Sequence, residues 1–559
     1  MTGTIPSWAA GSLYRTGPGQ CTVKDTRYGK DGIYYISHWF DGLAHTHRFD
    51  IVPSQEGEYA NGQPEVKVMY SSRRQSEELA KYIQKKGAGR LYTFGQKADP
   101  CVGLYSKFMS VWKNGDINRD RQRLENVSVT VQTPIPGLPG HTNSINRDTK
   151  APNISGHRAN SVWLATDTCS LRQLDASTLE PVGFETQVVL HPELTGPLSS
   201  AHSHRDPVTG DYFNYNLHMA KTATYRIFRV SASTGKTDIL ATIQKSNLMP
   251  AYIHSFYLSE SFVTLCVPSS HLAWKGLKIA WNRNVLDAIV PFDEKLVCKW
   301  FVVDRLHGQG VVAEFETPAG FFFHTINSFE EQVKMATDGT TKQVDLYCDV
   351  VEFPNTDIMR LLYYDVMLNR NDSTKAIWGS DIGKNLHPRF ARWKFRVDTP
   401  AASSSMDKKR RIKKPSPKPE KVVAILGPHI GELPTINPAY QTKRYRYVYS
   451  LPNRGRSTML DTLVKTDIDT GNVIFWNNLQ GHTPSEAIFV ARPGAKEEDD
   501  GVLLSVVLDG TQEKSYLLCL DAKTMTEMGR ADVNFAIGFG FHGVHVTEGS
   551  DGMKSFGPL

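Results

Sequence analysis

Histidine offers the most chemistry in this chain. Eighteen occur among 559 residues, and the usual competing signatures are missing. No G-x-S-x-G elbow, Walker loop or H-E-x-x-H is present, and the seven scattered cysteines contain no C-x-x-C pair, which argues against a disulfide framework and a structural zinc knuckle. GFGFHG at Gly538 to Gly543 satisfies G-x-G-x-x-G literally, yet only sixteen residues follow it and they hold no βαβ pattern. A dinucleotide site is therefore excluded. Four histidines share a context: His202 (SSAHSHRDP), His254 (AYIHSFYLS), His324 (FFFHTINSF) and His542 (GFGFHGVH) each sit at the edge of a strand-like run, after an apolar or small residue. Separations of 52, 70 and 218 residues are too long for a finger-type zinc site but suit successive sheets that each project one residue toward a common axis. Any one of the four alone reads as a core or turn histidine. His202 and His204 would lie on the same face of a strand, so spacing does not choose between them.

The elements that must position these residues are mostly strands. Short β-branched or aromatic runs bounded by turn residues recur throughout, among them DYFNYNLH, KWFVVDR, YRYVYSL and GVLLSVVL. Strand-turn-strand units such as FRVSASTGKTDIL and VKTDIDTGNVIFW have the texture of propeller blades, so a propeller with large insertions is preferred over a pair of sandwiches. Helical patterning is confined to QSEELAKYIQKKG, VGLYSKFMSVWKN and NTDIMRLLYYDVML. Two segments mix aromatic and basic residues. Cys101 to Lys113 places Val102, Leu104, Tyr105, Phe108, Met109 and Trp112 at helical spacing, and His271 to Phe292 sets Trp274, Leu277, Ile279 and Trp281 among Lys275, Lys278 and Arg283. Each reads either as a core-facing amphipathic element or as one that dips into a membrane surface.

Composition bounds the partners. The formal charge is +6, but eight basic residues against two acidic ones between Asp407 and Lys421 account for all of it. The rest of the chain is neutral on balance, which removes the case for a nucleic-acid partner. The stretch 401–421, AASSSMDKKRRIKKPSPKPEK, is a low-complexity basic loop inserted in one otherwise continuous domain, with a nuclear-import signal as its functional alternative. The N-terminus lacks the basic and apolar regions of a secretory signal, and no stretch approaches the roughly 18 uncharged apolar residues of a spanning helix. A cytoplasmic protein with reduced thiols is expected, and the sequons at Asn126, Asn153 and Asn371 are then chance matches.

GSLYRTGPG (Gly11 to Gly19), HWFDGLAHTHRF (His38 to Phe49), AHSHRDPVTGDYFNYN, YIHSF, FHTIN, TPSEAIFVARPGAKEEDDGVLLSVVLD and GFHG resemble, in order and spacing, the motif series of the carotenoid cleavage oxygenases. The resemblance runs from about Gly11 to about Val546. It is greatest to the fungal torulene-cleaving and related enzymes, through TYRIFRVSASTGKTDIL and KWFVVDRLHGQGVVAEFETPAGFFFHTIN.

The resemblance implies an all-β, seven-bladed propeller over residues 1–559, with a helical and loop cap and one axial Fe(II) held by His202, His254, His324 and His542. His204 and His545 match no ligand position. Imidazole suits Fe(II), and four neutral ligands leave positions open for O2. Acidic residues orient the imidazoles in the family, and the matching positions are Asp167, Glu432 and Glu486. Many relatives carry Glu at the first of these, so the shorter Asp167 leaves a direct hydrogen bond there open. Ser203 stands where Pro is common, and Thr325 where a second His is frequent. The chain also begins close to the first motif, which raises the question of a missing opening strand and an altered ring closure.

The implied reaction is O2-dependent cleavage of a conjugated C=C bond of a carotenoid or apocarotenoid, torulene-type, to two carbonyl products. The substrate must leave a membrane or lipid store, so peripheral membrane contact is expected. Three alternatives stand beside it: central β-carotene cleavage to retinal, stilbene cleavage or non-oxidative ester cleavage with isomerisation, and a propeller that only binds partners.

Overall fold

The computed structural model describes residues 1–26, 31–54, 59–60, 63–64, 66–87, 91–97, 124–139, 161–333, 341–400, 417–547 and 554–556. Among these, seven antiparallel sheets of at least four strands follow one another along the chain as the blades of a propeller. The first blade holds Gly11–Gln20, Leu43–Pro53 and Val66–Arg74, and the second runs from Thr130–Gln132 to Pro181–Thr186. Blades three, four and five extend from Leu198–Ser199 to Thr237–Gln244, from Tyr257–Leu258 to Val311–Pro318 and from Phe321–Gln332 to Glu420–Leu426. The sixth spans Glu432–Thr435 to Val473–Phe475, and the seventh His482–Pro484 to Glu527–Val533.

Burial patterns explain why the strands read as they do. Inner strands such as Phe262–Val267 and Gly501–Asp509 are buried on both faces because each blade is sandwiched between two others. They are continuous apolar runs rather than alternating ones. The outermost strand of blade five, Glu420–Leu426, alternates exposed and half-buried positions, as a rim strand with one wet face must. A separate hydrophobic cluster fills each of the seven blade interfaces, including the one between blades seven and one, where Leu13 and Phe49 meet Ile488 and Leu517.

That last interface answers the question of ring closure. Thr2–Gly3 pairs with Glu527–Val533 of blade seven, and Gly543–Thr547 pairs with Gly11–Gln20 of blade one. Both described ends of the chain therefore cross the seam and close the ring there. The GFGFHG run serves this seam. A Cβ on Gly17 would lie 2.5 Å from the Gly540 Cα, and one on Gly538 would lie 2.9 Å from the Pro18 carbonyl oxygen. Its glycines allow two backbones to touch, not a phosphate to bind.

The cap consists of the helix Glu77–Lys86, three short helices at Ile358–Leu361, Tyr364–Met367 and Ser373–Trp378, and the hairpin Thr22–Lys24 with Ile33–Tyr35. Glu77 and Glu78 open the first of these helices and Lys85 and Lys86 close it, each sign matching the helix dipole. Leu79 and Ile83, one turn apart, are its buried residues. No helix of the described residues is long and apolar enough to cross a membrane. The aromatic and basic segment Cys101 to Lys113 lies outside the described residues, as does 401–416 of the basic insertion.

Candidate metal centre

Four histidines separated by up to 340 residues meet at the propeller axis. The His202 Nε2 lies 3.1 Å from the Nε2 atoms of both His254 and His542, and the His324 Nε2 lies 3.2 Å from that of His542. All four ligand atoms fall within 4.8 Å of one another, and all four residues are buried. They come from the inner edges of blades three, four, five and one. His202 and His254 sit in the turns just before His204–Arg205 and Tyr257–Leu258, and His542 directly precedes Gly543–Thr547. His324 lies inside Phe321–Gln332 at a break in strand register between Phe322 and Thr325, an irregularity of the kind that re-aims a side chain.

The other three blades supply the carboxylates. The His254 Nδ1 is 2.8 and 3.0 Å from the two Asp167 oxygens, the His324 Nδ1 2.6 Å from Glu432 and the His542 Nδ1 2.7 Å from Glu486. Asp167 belongs to blade two, Glu432 to blade six and Glu486 to blade seven. The shorter Asp167 thus makes the direct contact after all, and it also accepts from the Tyr252 hydroxyl at 2.7 Å and the Ala201 N–H at 3.1 Å.

This arrangement passes a chemical test for a cation. A carboxylate on Nδ1 fixes the proton there, leaving the Nε2 lone pair as an acceptor. Three such lone pairs converge with the His202 Nε2 inside 4.8 Å, and only the His202 imidazole has a ring proton it could place among them. A positive ion at the centre relieves the repulsion among these lone pairs, and a first-row divalent metal is what imidazole prefers. Burial, reinforced by His324, His254 and Arg15, holds the His542 imidazole well below its usual range. Burial also pushes the Glu486 carboxyl up to about 7, against the opposing pull of Arg15, the Gly543 N–H and His324.

The neighbouring histidines are engaged elsewhere. The His204 ring reaches the Phe256 carbonyl oxygen at 2.7 Å and the His545 ring that of Ala9 at 3.1 Å. Strand alternation puts His202 and His204 on the same face only if both lie in one strand, and they do not. His202 precedes the strand, so alternation does not apply to it. Thr325, where a further histidine was conceivable, donates its hydroxyl to the Phe256 carbonyl at 2.8 Å.

A family model described as retinal pigment epithelial membrane protein matches residues 1–547. The chain belongs to this family, the carotenoid cleavage oxygenases. A Neurospora crassa protein named carotenoid dioxygenase is 50% identical, covering 100% of this chain and 90% of its own. A torulene dioxygenase of Gibberella fujikuroi is 48% identical over 98% of this chain and 90% of its own. A solved structure described as cobalt-substituted Synechocystis ACO superposes with a TM-score of 0.63 over 97% of this chain and 94% of that one, at 19% identity. That last likeness concerns the fold. The family is iron-dependent, and the four-histidine cluster of this oxygenase is compatible with such a metal.

Three of the four histidines open onto a cavity of about 340 Å³. Its wall near them is aromatic: Phe40, Phe94, Phe323 and Phe541 ring the approach, with centroid separations of 4.8 Å for Phe40 and Phe94, 5.6 Å for Phe40 and Phe323 and 5.4 Å for Phe40 and Phe541. Tyr252 joins this wall through Phe94 at 5.2 Å while its hydroxyl holds Asp167. Sequence reasoning assigned no role to Tyr252. Its position two residues before His254, on the same side of an extended segment, was the available signal.

Proposed function

We propose that the protein is a dioxygenase that holds one Fe(II) per chain on His202, His254, His324 and His542 and splits a conjugated C=C bond of a carotenoid or apocarotenoid, with torulene the favoured substrate. The observation that carries this reading is the convergence of four imidazole acceptors at the wall of an aromatic and aliphatic cavity. Bound there, Fe(II) would supply activation of O2 at the positions its four neutral ligands leave open. The reaction balances without a reductant: one C=C bond and one O2 become two C=O groups, so both products are carbonyls. The chain's own part is to bind and orient. Asp167, Glu432 and Glu486 keep the Nδ1 protons in place, and the phenylalanine ring around the approach excludes water and aligns a flat polyene against the site.

We further place the enzyme in the cytoplasm, in peripheral contact with a membrane or lipid store. Trp274 and Leu277 are 59% and 71% exposed beside Lys275 and Lys278. This segment is hydrogen-bonded to the cavity wall, the Val285 N–H to the Thr93 carbonyl at 3.1 Å and the Leu286 N–H to that of Phe94 at 2.7 Å. An aromatic and basic surface adjoining the cavity supports direct uptake of an insoluble substrate.

The test is aerobic incubation of purified, iron-loaded protein with torulene, β-carotene, β-apo-carotenals and resveratrol, followed by chromatography. Aldehydes from torulene are expected. Iron-bound protein that yields no aldehyde from any polyene overturns the reading.

A further inference from the structure

The cavity wall is built from two distinct hydrophobic clusters. One surrounds the histidines and continues beneath the short cap helices, through Leu361, Leu386 and Met459. The other joins the hairpin to the helix Glu77–Lys86, through Ile36, Leu43, Leu79 and Ile83 with Leu91 and Leu124 packed on them. A long polyene held with its middle at the histidines therefore places one end in the hairpin-and-helix compartment.

Polar side chains reach that compartment, but their hydrogen bonds are spent on the wall. The Asp41 carboxylate accepts the Phe94 N–H at 2.6 Å and the Gly95 N–H at 2.8 Å. Gln96 accepts the Ser37 N–H at 2.9 Å and donates to the Tyr35 carbonyl at 3.1 Å. The Asn126 oxygen accepts from the Ala44 N–H and the Ser76 hydroxyl at 2.9 and 2.7 Å, and its amide donates to the Gly42 carbonyl at 2.8 Å. Thr93 donates its hydroxyl to the Arg283 carbonyl at 3.2 Å. Tyr34, Tyr92 and Glu125 each make a further interaction. The cavity lining is predominantly apolar, and its Asp41, Gln96, Asn126 and Thr93 groups already hold partners in the wall.

We propose that this compartment, as the described residues form it, is a hydrocarbon-selective end-group site: it accepts the unoxygenated terminus of a carotenoid and discriminates against hydroxylated ones. The inference rests on the proposed carotenoid-cleaving function of the same cavity and goes further by naming the substrate subclass. A ring hydroxyl entering here gives up its water and meets a mostly apolar lining whose Asp41, Gln96, Asn126 and Thr93 groups already hold partners. A hydrophobic pocket rejects an added hydroxyl only modestly, so the expected discrimination is about 10- to 100-fold.

The experiment measures β-carotene and its dihydroxy derivative zeaxanthin as competitive inhibitors of torulene cleavage by the iron-loaded full chain. The inhibition constant for zeaxanthin is expected to exceed that for β-carotene by at least about 10-fold. Equal constants, including both being too weak to measure, or tighter inhibition by zeaxanthin, overturn the proposal while leaving the cleavage activity standing. Absence of torulene cleavage strikes the functional reading itself. The compartment is located by Ile83→Asn, with Leu79→Asn as the second variant should the first not fold. Each adds an amide with no wall partner and is expected to narrow the difference between the two inhibitors to within about 3-fold. A folded variant that keeps the full difference also overturns the proposal.

Discussion

His254 and His204 mark the boundary between ligand and bystander. His254 is buried ahead of Tyr257–Leu258 in blade four and His204 is half-buried in His204–Arg205 of blade three, yet one directs its Nε2 at the histidine cluster and the other bonds a carbonyl oxygen. His254→Ala is expected to lose iron retention and turnover together, whereas His204→Ala should keep stoichiometric iron and lose only about 0.5–1.5 kcal/mol of stability, because the Phe256 carbonyl loses one donor and keeps the Thr325 hydroxyl at 2.8 Å. Metal analysis and denaturant melts of the two variants measure this, and iron retained by the His254 variant refutes the assignment. Asp167 carries the second prediction at this scale. Its two oxygens accept the His254 Nδ1 proton at 2.8 and 3.0 Å, and the next oxygen among the described residues, the Tyr252 hydroxyl, is at 3.4 Å. Asp167→Ala should weaken apparent iron affinity about 10- to 100-fold, read by titration against a competing chelator, with an unchanged affinity counting against its orienting role. Residue type and motif order pointed to all seven of these positions. Which carboxylate serves which histidine was not legible, since Asp167 reaches past blade three to the ligand on blade four. Asn126 shows the same limit. A sequon by spelling, its amide is held by Ala44, Ser76 and Gly42 and cannot serve as a glycosylation acceptor in the folded chain.

Among the elements, two segments singled out by composition separate once their surroundings are known. The stretch His271 to Phe292 mixes aromatic and basic residues and reads either as core-facing or as membrane-facing. In the structure it is broken into Ala273–Gly276, Leu277–Asn282 and Leu286–Ala288, with left-handed backbone at Trp274, Lys275 and Arg283. Its apolar residues consequently divide: Ile279 packs on the core while Trp274 and Leu277 face outward. Trp274→Asp with Leu277→Asp should reduce co-sedimentation with liposomes several-fold and leave cleavage in detergent intact. Undiminished vesicle binding by this variant argues against the contact. The basic insertion connects Arg389–Pro400 to Glu420–Leu426, which pair as neighbours in blade five. Its last two residues belong to that strand. Glu420 pairs with Lys394, while Lys421 bonds Glu352 and lies 4.8 Å from the Trp393 ring centre. Excision of 403–416, sparing the strand, is expected to lower the isoelectric point and leave iron content and turnover unchanged. Loss of iron on excision would instead make the segment part of the fold.

For the molecule as a whole, buried neutral imidazoles set the response to acid. Burial holds His38, His45, His204 and His545 down to about 4, and His47 well below its usual range. Unfolding frees these groups to bind protons below about 6.5, whereas the native state does not protonate the first four until about 4. Stability from them is therefore full above about 6.5 and is lost as pH falls toward 4. Asp41 and Glu486, which burial raises to about 6 and about 7, act in the opposite sense but are outnumbered. The melting temperature should fall by several degrees between pH 7.5 and pH 5, and an equal or higher value at pH 5 refutes this balance. The same scale divides what each level of description determined. The amino-acid sequence alone established a strand-rich propeller and the family, and motif order nominated the four histidines proposed as ligands, because strand patterning is local and motif order survives without coordinates. Only the tertiary structure decided that blades one, three, four and five bring those ligands together, that Asp167 is long enough, and that the polar groups of the cavity wall are already paired. Those are statements about distance, and chain separation carries no distance until seven blades have packed and both termini have closed the ring.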